Sequence, residues 1–278
     1  MVRRSTLAAL FAALGVTSLT PERLTAQAAP SSSDTPTVEE RYASLSAADD
    51  YMGLVALWRE NPDAAIPVID RDLEGSLALW EAEGDAKGTE IEALLARAIR
   101  ASNAALEATG RRRVTDYVHS FAGWNAEQRG SFRAGQRACR DGSGALREGD
   151  ASRALERGRE CRAHAEPLGD WWGTAMGLRV EGNAHLASDN KEEGALALAR
   201  ARLIFRELGL TSSALRIEAD LASVFLELGQ RARAETLIRD GKATAARLGL
   251  TDLEVAFGRL EEQLRNSPVR PPNPSEER

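Results

Sequence analysis

The sequence predicts an all-α chain built from consecutive antiparallel helical hairpins, and three observations carry that prediction. Leu168-Gly169, Leu208-Gly209 and Leu248-Gly249 recur at an interval of 40 residues, and a fixed period of this size marks stacked supersecondary units that cannot bury their apolar faces alone. The strong helix formers Ala, Leu, Arg and Glu dominate the composition, and only 5% of residues are aromatic. Gly149-Asp150, Asp189-Asn190 and Gly229-Gln230 form a second column at the same offset, each closing one apolar helical pattern and opening the next. With 278 residues, 43% of them hydrophobic, the chain can bury a substantial core.

Residues 1–28 have the three parts of a secretory signal: Arg3-Arg4, an uncharged apolar run from Thr6 to Leu19, and small residues at Ala26-Gln27-Ala28. Cleavage is expected after Ala28, which makes this an exported, periplasmic or extracellular protein of the bacterial envelope. The apolar run is only about two-thirds of the ~20 residues a helix needs to cross a bilayer, and Pro21 would break an N-terminal helix of the fold. The Arg pair admits twin-arginine export, but no cofactor motif calls for folded transport, so the general secretory route is favoured. Residues 29–37 carry two prolines and no periodic apolar positions, as a flexible leader would.

Residues 38–128 read as degenerate helical hairpins stacked on the array. Amphipathic segments at 48–60, 62–83, 85–109 and 112–121 are separated by Asn61-Pro62, Gly84 and Gly110, and Trp58, Trp80 and Trp124 are expected in their core. No β-branched alternation suggests a sheet.

The clear repeats occupy residues 129–266, with helices expected near 130–147, 151–167, 171–188, 191–207, 211–228, 231–247 and 251–265, the last a polar cap. Gly142, Gly182 and Ala222 form one column of small residues, and Ala154, Gly194 and Ala234 another; these mark where the two helices of a hairpin approach closely. Leu155, Leu198, Leu203, Leu221, Phe225, Leu237 and Ile238 supply the apolar stripe. Thr251 with Glu254 reads as a capping box, and Asp170 and Thr211-Ser212-Ser213 offer other cap oxygens. The glycine of each Leu-Gly pair suits a left-handed helix terminus. Residues 267–278 contain four prolines and read as a disordered tail.

The stretch from Gly182 to Ala195, Gly-Asn-Ala-His-Leu-Ala-Ser-Asp-Asn-Lys-Glu-Glu-Gly-Ala, resembles the core motif of the tetratricopeptide repeat. Leu146–Leu155 and Leu226–Glu235 are similar more loosely, and the resemblance covers roughly residues 131–264. The period departs from the usual ~34 residues; the surplus lengthens both helices, as in the longer-repeat branch that includes kinesin-light-chain-like arrays. The resemblance implies a right-handed α-solenoid whose first helices line a concave face that binds a protein or peptide. Carried onto this chain, that face consists of Gln136, Ser143 and Arg147, then Met176, Arg179, Asn183 and Ala187, then Arg216, Ser223 and Glu227. Arg179 with Asn183 is similar to the groups with which peptide-binding members grip a terminal carboxylate.

No set of catalytic residues is readable, so the chain is expected not to be an enzyme and to need no cofactor or metal. The three histidines, His119, His164 and His185, belong to no hydrolase, phosphate-loop or zinc motif, and His185 falls in a core column. The net charge of −6 becomes more negative once residues 1–28 are removed, which excludes nucleic acid as the natural partner. Cys139 and Cys161 are candidates for a disulfide, because the hairpin register brings them within about one helical turn; two buried thiols are the alternative. Trp171 and Trp172 pack between units or anchor a partner. Two other functional classes stay open: an enzyme or glycan-handling protein with its site in the N-terminal helices, and a structural, self-associating module.

Overall fold

The computed structural model describes residues 36–266. The export signal, its cleavage after Ala28, nearly all of the leader and the Pro-rich tail lie outside the described residues. Among the described residues the chain is all-helical, with twelve α-helices, two short 3-10 turns and no strand. No helix among them is long and apolar enough to cross a membrane.

Five helices precede the repeats: α1 (Val38–Ala47), α2 (Tyr51–Glu60), α3 (Ala65–Glu83), α4 (Gly88–Thr109) and α5 (Arg112–Ala122). Thr37 and Glu40 form a capping box that starts α1, and Asp50 caps α2 by accepting from the Gly53 amide. Their shared core contains Trp58, Leu54, Ile66, Ile69, Leu73, Tyr117 and Trp124, all buried. A buried polar knot braces it. Asp72 on α3 accepts from the Tyr42 hydroxyl at 2.6 Å and from two nitrogens of Arg97 on α4.

Seven helices follow: α6 (Ala126–Glu148), α7 (Ala151–Ala165), α8 (Trp171–Ala187), α9 (Lys191–Glu207), α10 (Thr211–Glu227), α11 (Arg231–Arg247) and α12 (Thr251–Asn266). Each packs against the next, and the first helices also meet one another, α6 against α8 and α10 against α12. The glycines of the Leu-Gly pairs take the expected left-handed conformation, with φ of +65°, +74° and +65° at Gly169, Gly209 and Gly249, and the turns inside the hairpins do the same, with +79° at Gly149, +60° at Asp189 and +73° at Gly229. The small-residue columns mark true backbone approaches. A Cβ added to Gly182 would lie 2.7 Å from Leu198 and 3.1 Å from the Gly194 carbonyl.

Several details differ from expectation, each for a local reason. α6 begins at Ala126, ahead of the expected residue 130, because Asn125 and Gln128 form a capping box and Gly130 is carried inside the helix. α7 ends at Ala165, and Glu166–Leu168 tighten into a 3-10 turn around Pro167. Thr211 and Thr251 are the first residues inside their helices, so the Thr251 capping box is absent; the cap position of α10 belongs to Leu210, whose side chain packs on the core. Leu203 is 54% exposed, because it lies off the buried α9 stripe of Leu198, Ala201 and Phe205.

The N-terminal helices meet the repeats along the edge formed by the turns before α8 and α10. Leu168 and Leu208 are buried in the same core as α2–α5, joined by Phe132 of α6. The Trp124 indole donates to the Leu168 carbonyl at 3.1 Å, and Arg111 donates to the Pro62 carbonyl at 2.8 Å beside Gly209. α3 therefore passes across the N-terminal ends of the first helices.

Candidate functional site

The structure divides the predicted face into parts of unequal availability. Gln136 on α6 is already engaged: its amide nitrogen donates to Glu74 of α3 at 2.7 Å, and its oxygen accepts from Arg133 at 2.7 Å. Ser143 is satisfied within its own helix by the Cys139 carbonyl at 2.9 Å. Arg147 is exposed near the C-terminal end of α6. Glu227 is turned toward α9, where it pairs with Lys191 at 3.0 Å. Met176 is half-buried and packs against the Cys139–Cys161 disulfide and the α8–α10 core.

The middle of the face is different. Arg179 of α8 lies close enough to Arg216 and Asp220 of α10 to feel their charges. Arg179 and Asp220 are half-buried and Arg216 is exposed. Burial lowers the Arg179 guanidinium, with Arg216 adding repulsion and Asp220 opposing both. Burial also pushes Asp220 up to about 6, against the pull of Arg179 and Arg216. Among the described residues neither arginine makes an ion pair or a side-chain hydrogen bond. Asn183, half-buried one turn beyond Arg179, and Ser223, half-buried on α10, complete this stretch.

Several arginines elsewhere in the fold are committed. Arg133 holds Glu74 and Glu81 at 2.7 Å each, Arg162 holds the buried Glu181 at 2.7 Å, and Arg206 reaches the buried Glu218. A guanidinium without an ion pair keeps planar, bidentate donors available for a carboxylate. Asp220, which the sequence reading omitted, lies four residues after Arg216 and so on the same helix face; that spacing was the available signal.

Comparison with protein-family models, with curated protein sequences and with solved structures yields no match for this chain. Its chemistry must therefore be argued from its own residues.

A second group of charges gathers where α3 crosses α8. Asp70 accepts from the Tyr117 hydroxyl at 2.8 Å, and Asp170 caps α8 by accepting from the Gly173 amide at 2.8 Å. Burial raises Asp70 to about 6 and Asp170 to about 7; Glu74 adds to both rises, and Asp70 adds to that of Asp170. These acids converge, as a catalytic or glycan-handling site in the N-terminal helices would require, yet Asp170 is only 5% exposed. Two depressions of about 440 and about 320 Å³ lie elsewhere, between α9 and α11 and beside Trp124, and no carboxylate lines either. No three His, Cys, Asp or Glu among the described residues gather as metal ligands do. The thiol candidates Cys139 and Cys161 are joined, with Cα atoms 5.2 Å apart, which ties α6 to α7. Trp171 sits under the Arg113 guanidinium at 4.1 Å and Trp172 packs into the core, so both serve internal packing.

Proposed function

We propose that this chain is an exported binding protein of the tetratricopeptide kind, a right-handed solenoid that holds a protein or peptide segment against its first helices. The observation that carries the reading is the pair of Arg179, half-buried on α8, and Arg216, exposed on α10, neighbours that have no ion-pair partner among the described residues. An acidic side chain or chain-terminal carboxylate would receive donors from both arginines, with Asn183 and Ser223 alongside. Asp220 limits the attraction to groups that can replace it. The regular hairpins and their turn columns support the family reading, and they supply what a repeat surface needs: rigid helices presenting side chains at spacings of three and four.

The test is crosslinking capture from the native envelope with wild-type protein and an Arg179→Glu/Arg216→Glu variant. Arg216 is exposed, Arg179 is half-buried, and neither belongs to the apolar core between α8 and α10, so the variant is expected to fold. A carboxylate-bearing partner should fall at least about tenfold in recovery, since each lost charge-assisted hydrogen bond is worth roughly 1.5–3 kcal/mol. Equal recovery from both proteins would remove this pair as the binding site.

A further inference from the structure

Between the second helices α9 and α11, and floored by α10, lies a hollow of about 440 Å³. Its floor is apolar. Leu221 and Phe225 of α10 and Leu237 of α11 line it, with the small side chains of Ala199 and Ala232 leaving it open. The apolar surface continues along α9, where Leu196 is 65% and Leu203 54% exposed. These two stand three residues before and four after Ala199, so all three share one helix face about 10 Å long.

The charges lining the hollow are of one sign. Arg202 of α9 makes no ion pair or hydrogen bond among the described residues, and its Nε is buried without an acceptor. The acid whose charge it lowers, Glu218, is already taken by Arg206. Arg233 of α11 lies over the Phe225 ring at 5.7 Å and donates to the neutral Gln230 side chain at 2.9 Å, with no ion pair among the described residues. In a chain of net charge −6, two uncommitted guanidinium groups beside an apolar floor suit an anion that carries its own apolar surface.

We propose that this hollow binds a single-chain carboxylate amphiphile, with its carboxylate at Arg202 and Arg233 and its hydrocarbon chain on Leu221, Phe225 and Leu237, running out along Leu196 and Leu203. Size and polarity select this occupant. The volume falls within the roughly 300–1,000 Å³ of small-ligand sites, which are mostly apolar with a few placed polar groups, whereas a stable protein partner needs roughly 800 Å² on each side. An extended peptide is excluded by its own backbone. The Thr236 hydroxyl donates within its helix to the Ala232 carbonyl, so the lining has no donor besides the arginines for peptide carbonyls that would lose water there. The site is separate from the first-helix face and holds whatever that face binds.

The test is isothermal titration calorimetry of the whole protein with decanoate below its micellar concentration, and with decanol and acetate for comparison. The wild type should bind one decanoate saturably. Decanol, which lacks the charge, and acetate, which lacks the chain, should each bind at least about tenfold more weakly. Arg202→Gln/Arg233→Gln should weaken decanoate by about tenfold or more, and Arg233→Gln alone, at an exposed position, should weaken it in the same direction. Ala232→Trp fills the hollow from an exposed position and should abolish binding, while Arg71→Gln, at an exposed arginine of α3, should bind as the wild type does. The proposal is overturned by a wild type without saturable binding, by equal affinity for decanol, or by undiminished decanoate binding in Ala232→Trp or in the double arginine variant. A concentration-dependent mass that Ala232→Trp abolishes would give the hollow to a second copy of the chain and overturn it as well. So would a Leu/Glu amphipathic peptide that binds with the same arginine dependence where decanoate does not.

Discussion

Breaking the Cys139–Cys161 bond should destabilise the protein by about 3 kcal/mol. The bond joins α6 to α7 over a separation of 22 residues. In the chain-entropy account, a closed loop of this length lowers the entropy of the unfolded ensemble by about 11 cal/mol/K, or about 3.4 kcal/mol at 25 °C. Packing changes little on reduction, because Cys139 is 7% and Cys161 1% exposed, and a buried thiol behaves as a small apolar group. Cys139→Ala/Cys161→Ala adds roughly 1 kcal/mol for the atoms removed. The assay is urea unfolding, followed by circular dichroism, of the oxidised protein, the protein under reductant, and the double variant. For an ordered chain of this length, such a loss lowers the thermal midpoint by about 7–13 °C. A loss under about 1 kcal/mol in both samples would refute the reasoning, since it would mean that local helix pairing already closes the loop before folding.

Three further outcomes follow from packing. Gly182→Val forces new atoms against Leu198 and the Gly194 carbonyl; its unfolding free energy should fall by about 2–3 kcal/mol, because two backbones must separate. Asp72→Ala strands the Tyr42 hydroxyl and the Arg97 guanidinium and should cost about 2–4 kcal/mol in the same assay, whereas Arg71→Ala, at an exposed pair with Glu39, should cost under about 1. Leu208→Ala should cost about 2–5 kcal/mol and Leu248→Ala under about 0.5, although the two occupy one repeat position, because their exposures are 0% and 36%.

The helices and turns of the repeats were legible because their causes are local. A stripe such as Leu198, Ala201 and Phe205 has helical spacing, and Gly149 or Gly209 stands where a left-handed residue must close a helix. Legibility failed where neighbours distant in sequence decide. Leu203 is a different failure, because the spacing was there to read: it lies two residues, about 200° round the helix, from Ala201 and so off the buried stripe. The site divides in the same way. Arg179 and Arg216 could be nominated from helix faces, but the engagement of Gln136 depends on Glu74, 62 residues away in the chain. Asp70 and Asp170, 100 residues apart in the sequence, owe their raised values to a shared burial that no spacing rule announces.

The Leu-Gly pairs show how one repeated feature comes to serve two purposes. The glycine is required at every copy, since φ is positive at Gly169, Gly209 and Gly249 alike. The leucine is required only where something covers it: Leu168 is 6% and Leu208 0% exposed under the N-terminal helices, while Leu248 lies open. A chain that repeats its turns creates an apolar ledge along one edge, and the N-terminal helices dock on that ledge at Leu168 and Leu208. Docking there sets Glu74 and Glu81 of α3 against Arg133 in the first turns of α6. The period therefore specifies the turns, and contacts from outside the period decide which of its leucines are buried.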